Sequence, residues 1–194
     1  MGKLRILFVG VLILLFLGCP VRSIFPLFAD KDMVFMPGLV GTWANTEENA
    51  LTNRGEDTLS IKKAGEQNYY TVVWPVGKSG DEVETHTYFT YLGRLGDFWF
   101  LDSYQQIRED EEDHVIPAHM FHRLWLDGDT LRLATLDGDW LKEMVDKKEI
   151  DIAHLRRGDE VLLTASTPEL QQLLRRFAED REAFPDPAKY VRLK

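Results

Sequence analysis

His114, His119 and His122 stand close together, the first just after five acidic residues, Glu109-Asp110-Glu111-Glu112-Asp113. Imidazoles at short spacing are raw material for zinc, which takes nitrogen and sulfur ligands in a tetrahedron. His119 and His122 are an odd number of residues apart, so on an extended strand they leave opposite faces and cannot readily share an ion. The acidic run reads as a solvated loop held open by its own repulsion, with calcium or a basic protein partner as the alternatives. Gly77-Lys78-Ser79 imitates the end of a phosphate loop, but the glycine needed five residues upstream is Val72 in a strand-like run, and no helix follows. Asp127-Gly128-Asp129 and Asp137-Gly138-Asp139 do not extend into calcium loops, because Leu131 and Leu141 occupy the third ligand places. No Gly-x-Ser-x-Gly occurs, and Asp151 and His154 have no evident nucleophile beside them. The expectation is therefore no catalytic residue, no metal and no cofactor. An unrecognised hydrolase stays open, because barrel sites are assembled from distant strands.

Cys19 is the only cysteine in the chain. It follows the basic Lys3 and Arg5 and a charge-free apolar run from Ile6 to Leu17, the pattern of a secretion signal. About 12 residues of helix span roughly 18 Å, short of the roughly 30 Å hydrocarbon core, and Arg22 blocks an extension. A permanent transmembrane anchor is thus the weaker reading. Phe16-Leu17-Gly18-Cys19 resembles a bacterial lipobox, whose cysteine is acylated as the signal is removed. Leu17 and Phe16 depart from the usual residues at their places. Ordinary cleavage after Val21-Arg22-Ser23 is the alternative. The resemblance implies a palmitate-bearing Cys19 with several acyl chains, which supplies the two or more hydrophobic signals that stable anchoring needs. Pro20 stands where an Asp would imply retention at the inner membrane. The expected address is therefore the bacterial cell envelope, at the outer membrane facing the periplasm, with the membrane as partner through Cys19.

The formal charge is −9, and removing Lys3 and Arg5 leaves 21 basic against 32 acidic residues, a net of −11. Such a surface repels nucleic acid, which is not an expected partner. With Cys19 acylated no disulfide remains, so the domain must be held by its core, and about 175 residues suffice for one domain.

The elements that position these residues are short and β-like. Residues 39–45, 58–62, 69–76, 83–92 and 98–104 are rich in Thr, Tyr, Val, Phe and Trp, and Gly/Asp/Lys clusters such as Asn53-Arg54-Gly55 and the stretch from Gly77 to Asp81 separate them. Runs 118–126 and 130–136 flank Asp127-Gly128-Asp129, a strong hairpin signal. A two-residue turn makes paired numbers sum to an odd value. Met120, His122, Leu124, Leu126, Leu131, Leu133 and Thr135 then share one face, expected to be the core. Residues 139–147 have helical spacing behind an Asp cap. Residues 152–155 and 160–164 read as another hairpin. Ser166-Thr167-Pro168-Glu169 opens a capped helix lined by Leu170, Leu173, Leu174 and Phe177, and 190–193 reads as a short closing strand. The expected organisation is a signal at 1–19 and a tether at 20–37 whose second half docks. A barrel with an inserted helix follows at 38–165, then a C-terminal helix and tail at 166–194.

About eight antiparallel strands opened by Gly41-Thr42-Trp43 resemble the lipocalin-like (calycin) barrel, where such a Trp packs at the closed end beneath an arginine. Arg123, Arg156 and Arg192 are all candidates for that arginine. The chain also resembles a group of uncharacterised bacterial lipoproteins sharing Pro-Leu-Phe … Gly-Thr-Trp, Pro-Ala-His and Leu-Thr-Ala-Ser-Thr segments of this type. The expected fold class is mainly β, an antiparallel lipocalin-like barrel with a late inserted helix and a C-terminal helix. The expected function is a lipid-anchored binding module for a small apolar ligand or lipid, with His122, Leu124, Leu131, Tyr70 and Trp74 lining the site. A fully packed scaffold barrel, with Glu109 to Asp113 as its partner surface, is the rival.

Overall fold

A computed structural model describes residues 20–46, 58–66, 68–79, 82–107 and 115–193. The signal, Cys19, the Asn53-Arg54-Gly55 turn, Gly80-Asp81, the acidic run and His114 lie outside the described residues.

In chain order the strands begin with β1 (Arg22–Ser23), β2 (Gly41–Asn45), β3 (Thr58–Lys63), β4 (Tyr69–Ser79) and β5 (Glu82–Leu95). They continue with β6 (Phe98–Gln105), β7 (His119–Asp127), β8 (Thr130–Thr135), β9 (His154–Arg157), β10 (Glu160–Leu163) and β11 (Ala188–Arg192). Helix α1 (Gly138–Asp146) follows β8, and α2 (Thr167–Arg176) follows β10. Strands β2 to β8 pair antiparallel with their chain neighbours, and β11 joins β8 to β2, which closes an eight-stranded barrel. The eighth strand is the short closing strand expected near 190–193, so the barrel extends past the expected boundary at residue 165 into the tail. Closure removes the exposed edges that β2 and β8 would otherwise present. The β9–β10 hairpin lies outside the barrel, attached through β1, which runs parallel to β10 and meets β7 at Ser23 and His119.

Alternation along the strands sorts side chains into two cores. Inside lie Trp43, Leu59, Ile61, Tyr70, Val72, Leu92, Leu101, Leu124, Leu131 and Leu133, with Leu39 beneath them. Outside, Leu95, Phe100, Phe121, Ala134 and Leu136 meet Trp140 and Leu141 of α1 and Leu170, Leu173 and Leu174 of α2. The β7–β8 hairpin has the expected register, with Asp127 opposite Thr130 and His122 opposite Thr135. Its other face, however, is not left to solvent. Phe121 and Ala134 are buried there because the helices cover it. Both helices start where local sequence dictates. Asp137 accepts from the Trp140 amide at 2.7 Å, and Ser166 with Glu169 forms a capping box.

Residues 20–40 are docked from their first described residue rather than over their second half alone. Pro20 bridges Asp137, Val21 N bonds Leu136 O at 3.2 Å, and Ser23 is buried in β1. Leu27 and Phe28 then insert between the barrel wall and α2, where Thr167 and Gln171 donate to the carbonyls of Pro26 and Leu27. Phe28 lies on Gly93, where a Cβ would stand 2.3 Å from the ring, so only glycine admits the segment. A 3₁₀ turn at Pro37–Leu39 then carries the chain under the barrel to β2.

Candidate functional site

The two ends of the barrel have different chemistry. At the end where β2 starts and β7 turns into β8, Trp43 is fully buried and donates Nε1–H to Leu39 O at 2.9 Å. The Arg192 guanidinium lies 4.1 Å from the centre of its ring and donates to Val40 O, to Gly38 O and to Asp129 Oδ1. Arg192 is therefore the arginine that covers the Trp. Arg123 instead stacks on Phe98 and Trp125, and Arg156 pairs with Asp146. Gly41 has φ +152°, and a Cβ there would meet the Arg192 guanidinium at 2.4 Å, so Gly and Trp of the motif are both required by one packing arrangement.

At the opposite end, where β7 begins and β8 finishes, the interior turns polar. His122 faces inward and is 4 % exposed. Its Nδ1 bonds Thr135 Oγ1 at 2.9 Å, and its ring lies 5.5 Å from that of Trp74. Nε2 is buried without a partner, the one such side-chain nitrogen or oxygen among the described residues. Burial pushes the imidazole pKa down to about 4, so it is neutral at pH 7, with one nitrogen a donor and the other an acceptor. Thr90 and Ser103 share a buried hydroxyl–hydroxyl bond of 2.9 Å on the same inner wall. Trp74, Tyr88, Met120 and Thr135 point inward yet keep partial exposure, whereas Trp43, Leu59, Tyr70 and Leu131 are sealed. Burial also raises the Tyr88 phenol pKa.

The sequence-derived ligand residues thus divide. His122 and Trp74 come together at the polar end, and Leu124 lies one inward position from His122 toward the Trp43 end. Leu131 pairs with Tyr190 and Leu126 at the sealed end, where it is core. Tyr70 faces inward, but its hydroxyl accepts from Met36 N at 2.7 Å and donates to Met36 O at 3.3 Å. It pins the chain under the barrel instead of offering a ligand a hydroxyl. Thr135, Tyr88 and Met120 were not singled out as site residues. The odd-sum pairing had already set Thr135 opposite His122, whereas Tyr88 needed the β4–β5 register.

The outer wall holds a second polar cluster that sequence reading missed. Asp102, 1 % exposed, accepts from His119 at 2.7 Å and from the Leu27 amide at 2.7 Å. Ser23 stands opposite His119 across β1 and β7, so Ser, His and Asp lie in a row on adjacent strands. The geometry is that of a clamp. The Ser23 hydroxyl donates to Phe25 O at 2.8 Å and accepts from Phe25 N, and Ser23 exposes no surface to a substrate. Asp102 is too deeply buried to stand alone, and the two N–H donors stabilise its carboxylate where the N-terminal segment crosses β6. His119 and His122 are on opposite faces of β7, as their spacing requires. Compared with known proteins, the chain matches no family model, no curated protein and no solved structure, so the eight-stranded lipocalin-like barrel with its Gly41-Thr42-Trp43 and Arg192 is the classification that this geometry supports.

Proposed function

We propose that this chain is a lipid-anchored protein of the bacterial envelope, of the lipoprotein group its motifs resemble, whose barrel binds a small apolar ligand or lipid at the His122 end. The observation that carries the reading is the unpartnered Nε2 of His122. A buried polar atom without a hydrogen bond costs about 1–3 kcal/mol, and native proteins seldom leave one without a purpose. Here the atom is flanked by Trp74 and Thr135, in the half of the barrel whose inward side chains remain partly accessible. A ligand with an apolar body and one polar head group satisfies both features. The body removes apolar area from water at about 25 cal/mol per Å², and the head group supplies the missing bond. An eight-stranded barrel has the diameter to hold one small ligand above a filled base.

The test uses the chain from Pro20 onward, which contains both cores and every paired strand. Long-chain fatty acids and lysophospholipids are expected to bind with micromolar affinity, about −8 kcal/mol, and to shift emission from Trp74. Met120→Trp fills the accessible half and is expected to abolish binding with the fold retained. His122→Phe is expected to weaken it about tenfold, the loss of one hydrogen bond of about 1.4 kcal/mol. If no such ligand moves either the fluorescence or the melting temperature, the packed scaffold takes its place, with Glu109 to Asp113 the first partner surface to test.

A further inference from the structure

The geometry points to a barrel that stands on the membrane with its His122 end against the bilayer, seated by an apolar rim of Val115, Ile116 and Leu155. This rests on acylation of Cys19 and adds an orientation to it. Pro20 bridges Asp137, and the Val21 amide bonds Leu136 O with the side chain 2 % exposed. One peptide link therefore separates Cys19 from a residue fixed to the barrel, and one residue reaches at most about 3.6 Å. A lipoprotein on a long flexible stalk samples many orientations, but one attached this closely does not. The attachment point also has a definite place. Asp137 lies just past the end of β8, and β8 ends where β7 begins, at the end opposite Trp43. The residue that follows Cys19 is thus fixed at the His122 end of the barrel.

The surface there is built for an interface. Ile116, on the approach to β7, is 79 % exposed, and Val115 is 46 % exposed. Leu155 on the edge strand β9 is 61 % exposed and pairs with Leu162. Leu162, Pro20, Val21, Ile116 and Ala118 line an open groove of about 390 Å³. Exposed apolar side chains gathered at one site mark a contact surface. Arg22 and Arg157 border the groove and make no ion pair among the described residues, which leaves their guanidiniums for lipid phosphates. Asp139, Asp159 and Glu160 border it too, so the surface is mixed in charge. Apolar contact, not charge, then holds it to the membrane. The groove does not take over the acyl chains of Cys19. A bilayer receives each whole chain and an open groove only part of one. In this orientation a lipid ligand passes between bilayer and barrel without crossing bulk water.

The experiment uses the full chain expressed in a diderm host and reconstituted in phosphatidylethanolamine–phosphatidylglycerol vesicles. Ile116, or Asp97 in the turn at the opposite end, is replaced by p-benzoylphenylalanine, both sites being exposed. Irradiation is expected to cross-link position 116 to phospholipid several-fold more than position 97. Mass spectrometry of the same preparation reads the N-terminus. A chain without acyl groups overturns the anchor and with it the orientation. An acylated chain that cross-links equally from both positions, or better from 97, overturns the orientation and leaves the anchor standing.

Discussion

The two ends of one barrel solve opposite problems with the same strands. At the Trp43 end every buried side-chain polar atom among the described residues has a partner. The indole N–H has Leu39 O, the Tyr70 hydroxyl has Met36, and the Arg192 guanidinium has two carbonyls and Asp129. At the His122 end one nitrogen is left without a partner and the ring is desolvated enough to stay neutral. Fully satisfied polar groups rigidify an interior, whereas a partly satisfied one costs stability unless something completes it. The sealed end therefore carries stability, and the His122 end, where one polar atom is unsatisfied, is the end at which binding is proposed.

Breaking the sealed end should produce the largest effect. Trp43→Ala removes a fully buried indole and strands Leu39 O, and it is expected to cost about 3–5 kcal/mol in chemical denaturation. Trp74→Ala, at the partly accessible end, is expected to cost clearly less. Equal costs would mean that the two ends do not differ in packing.

The next effect is in pH. His122 has a folded-state pKa of about 4 against the ordinary 6.5, so the unfolded chain binds the extra proton between these values. Its contribution is fully present above pH 6.5 and is lost as pH falls toward 4, by about 3 kcal/mol. Urea midpoints measured across that window should fall in the wild type, and the part due to this residue should vanish in His122→Phe. An unchanged slope in the variant would place the imidazole in water.

Arg192→Lys keeps a charge but loses the planar fork over Trp43 and the bonds to Gly38 O and Val40 O. A loss of about 1–2 kcal/mol is expected, read from the melting temperature. The smallest effect sharpens the open end. Thr135→Val removes the Nδ1 partner at 2.9 Å and should cost about 1 kcal/mol. Combined with His122→Phe, the same replacement should cost almost nothing further, and a double-mutant cycle measures that coupling.

Much of this was legible because the signals are local. Runs rich in Thr, Tyr, Val, Phe and Trp between turn clusters located β2 to β8, the Asp-Gly turn set the register that joins His122 to Thr135, and Ser166 with Glu169 marked the start of α2. The Gly41-Thr42-Trp43 resemblance suggested the barrel, but the covering arginine depended on which strand lies beside β2. That strand is β11, nearly 150 residues away in sequence, and the pairing of Trp43 with Arg192 is a long-range register. Tyr70 and Leu131 look like any other inward residues from sequence. Only the path of residues 35–39 beneath the barrel shows that they are closed off from a ligand.

By itself the sequence determined the approximate places of β2 to β8 and of both helices, the caps, the hairpin register and the opposed faces of His119 and His122, but not β1 or the bounds of β9. These depend on backbone periodicity and on groups a few residues apart. The tertiary structure decided three things. The closing strand of the tail lies between β8 and β2, residues 20–28 are bolted to the outer wall by Asp102 and Gly93, and His122 Nε2 is left unpaired inside. Each is a matter of which distant surfaces meet, and burial and hydrogen-bond satisfaction exist only once they do.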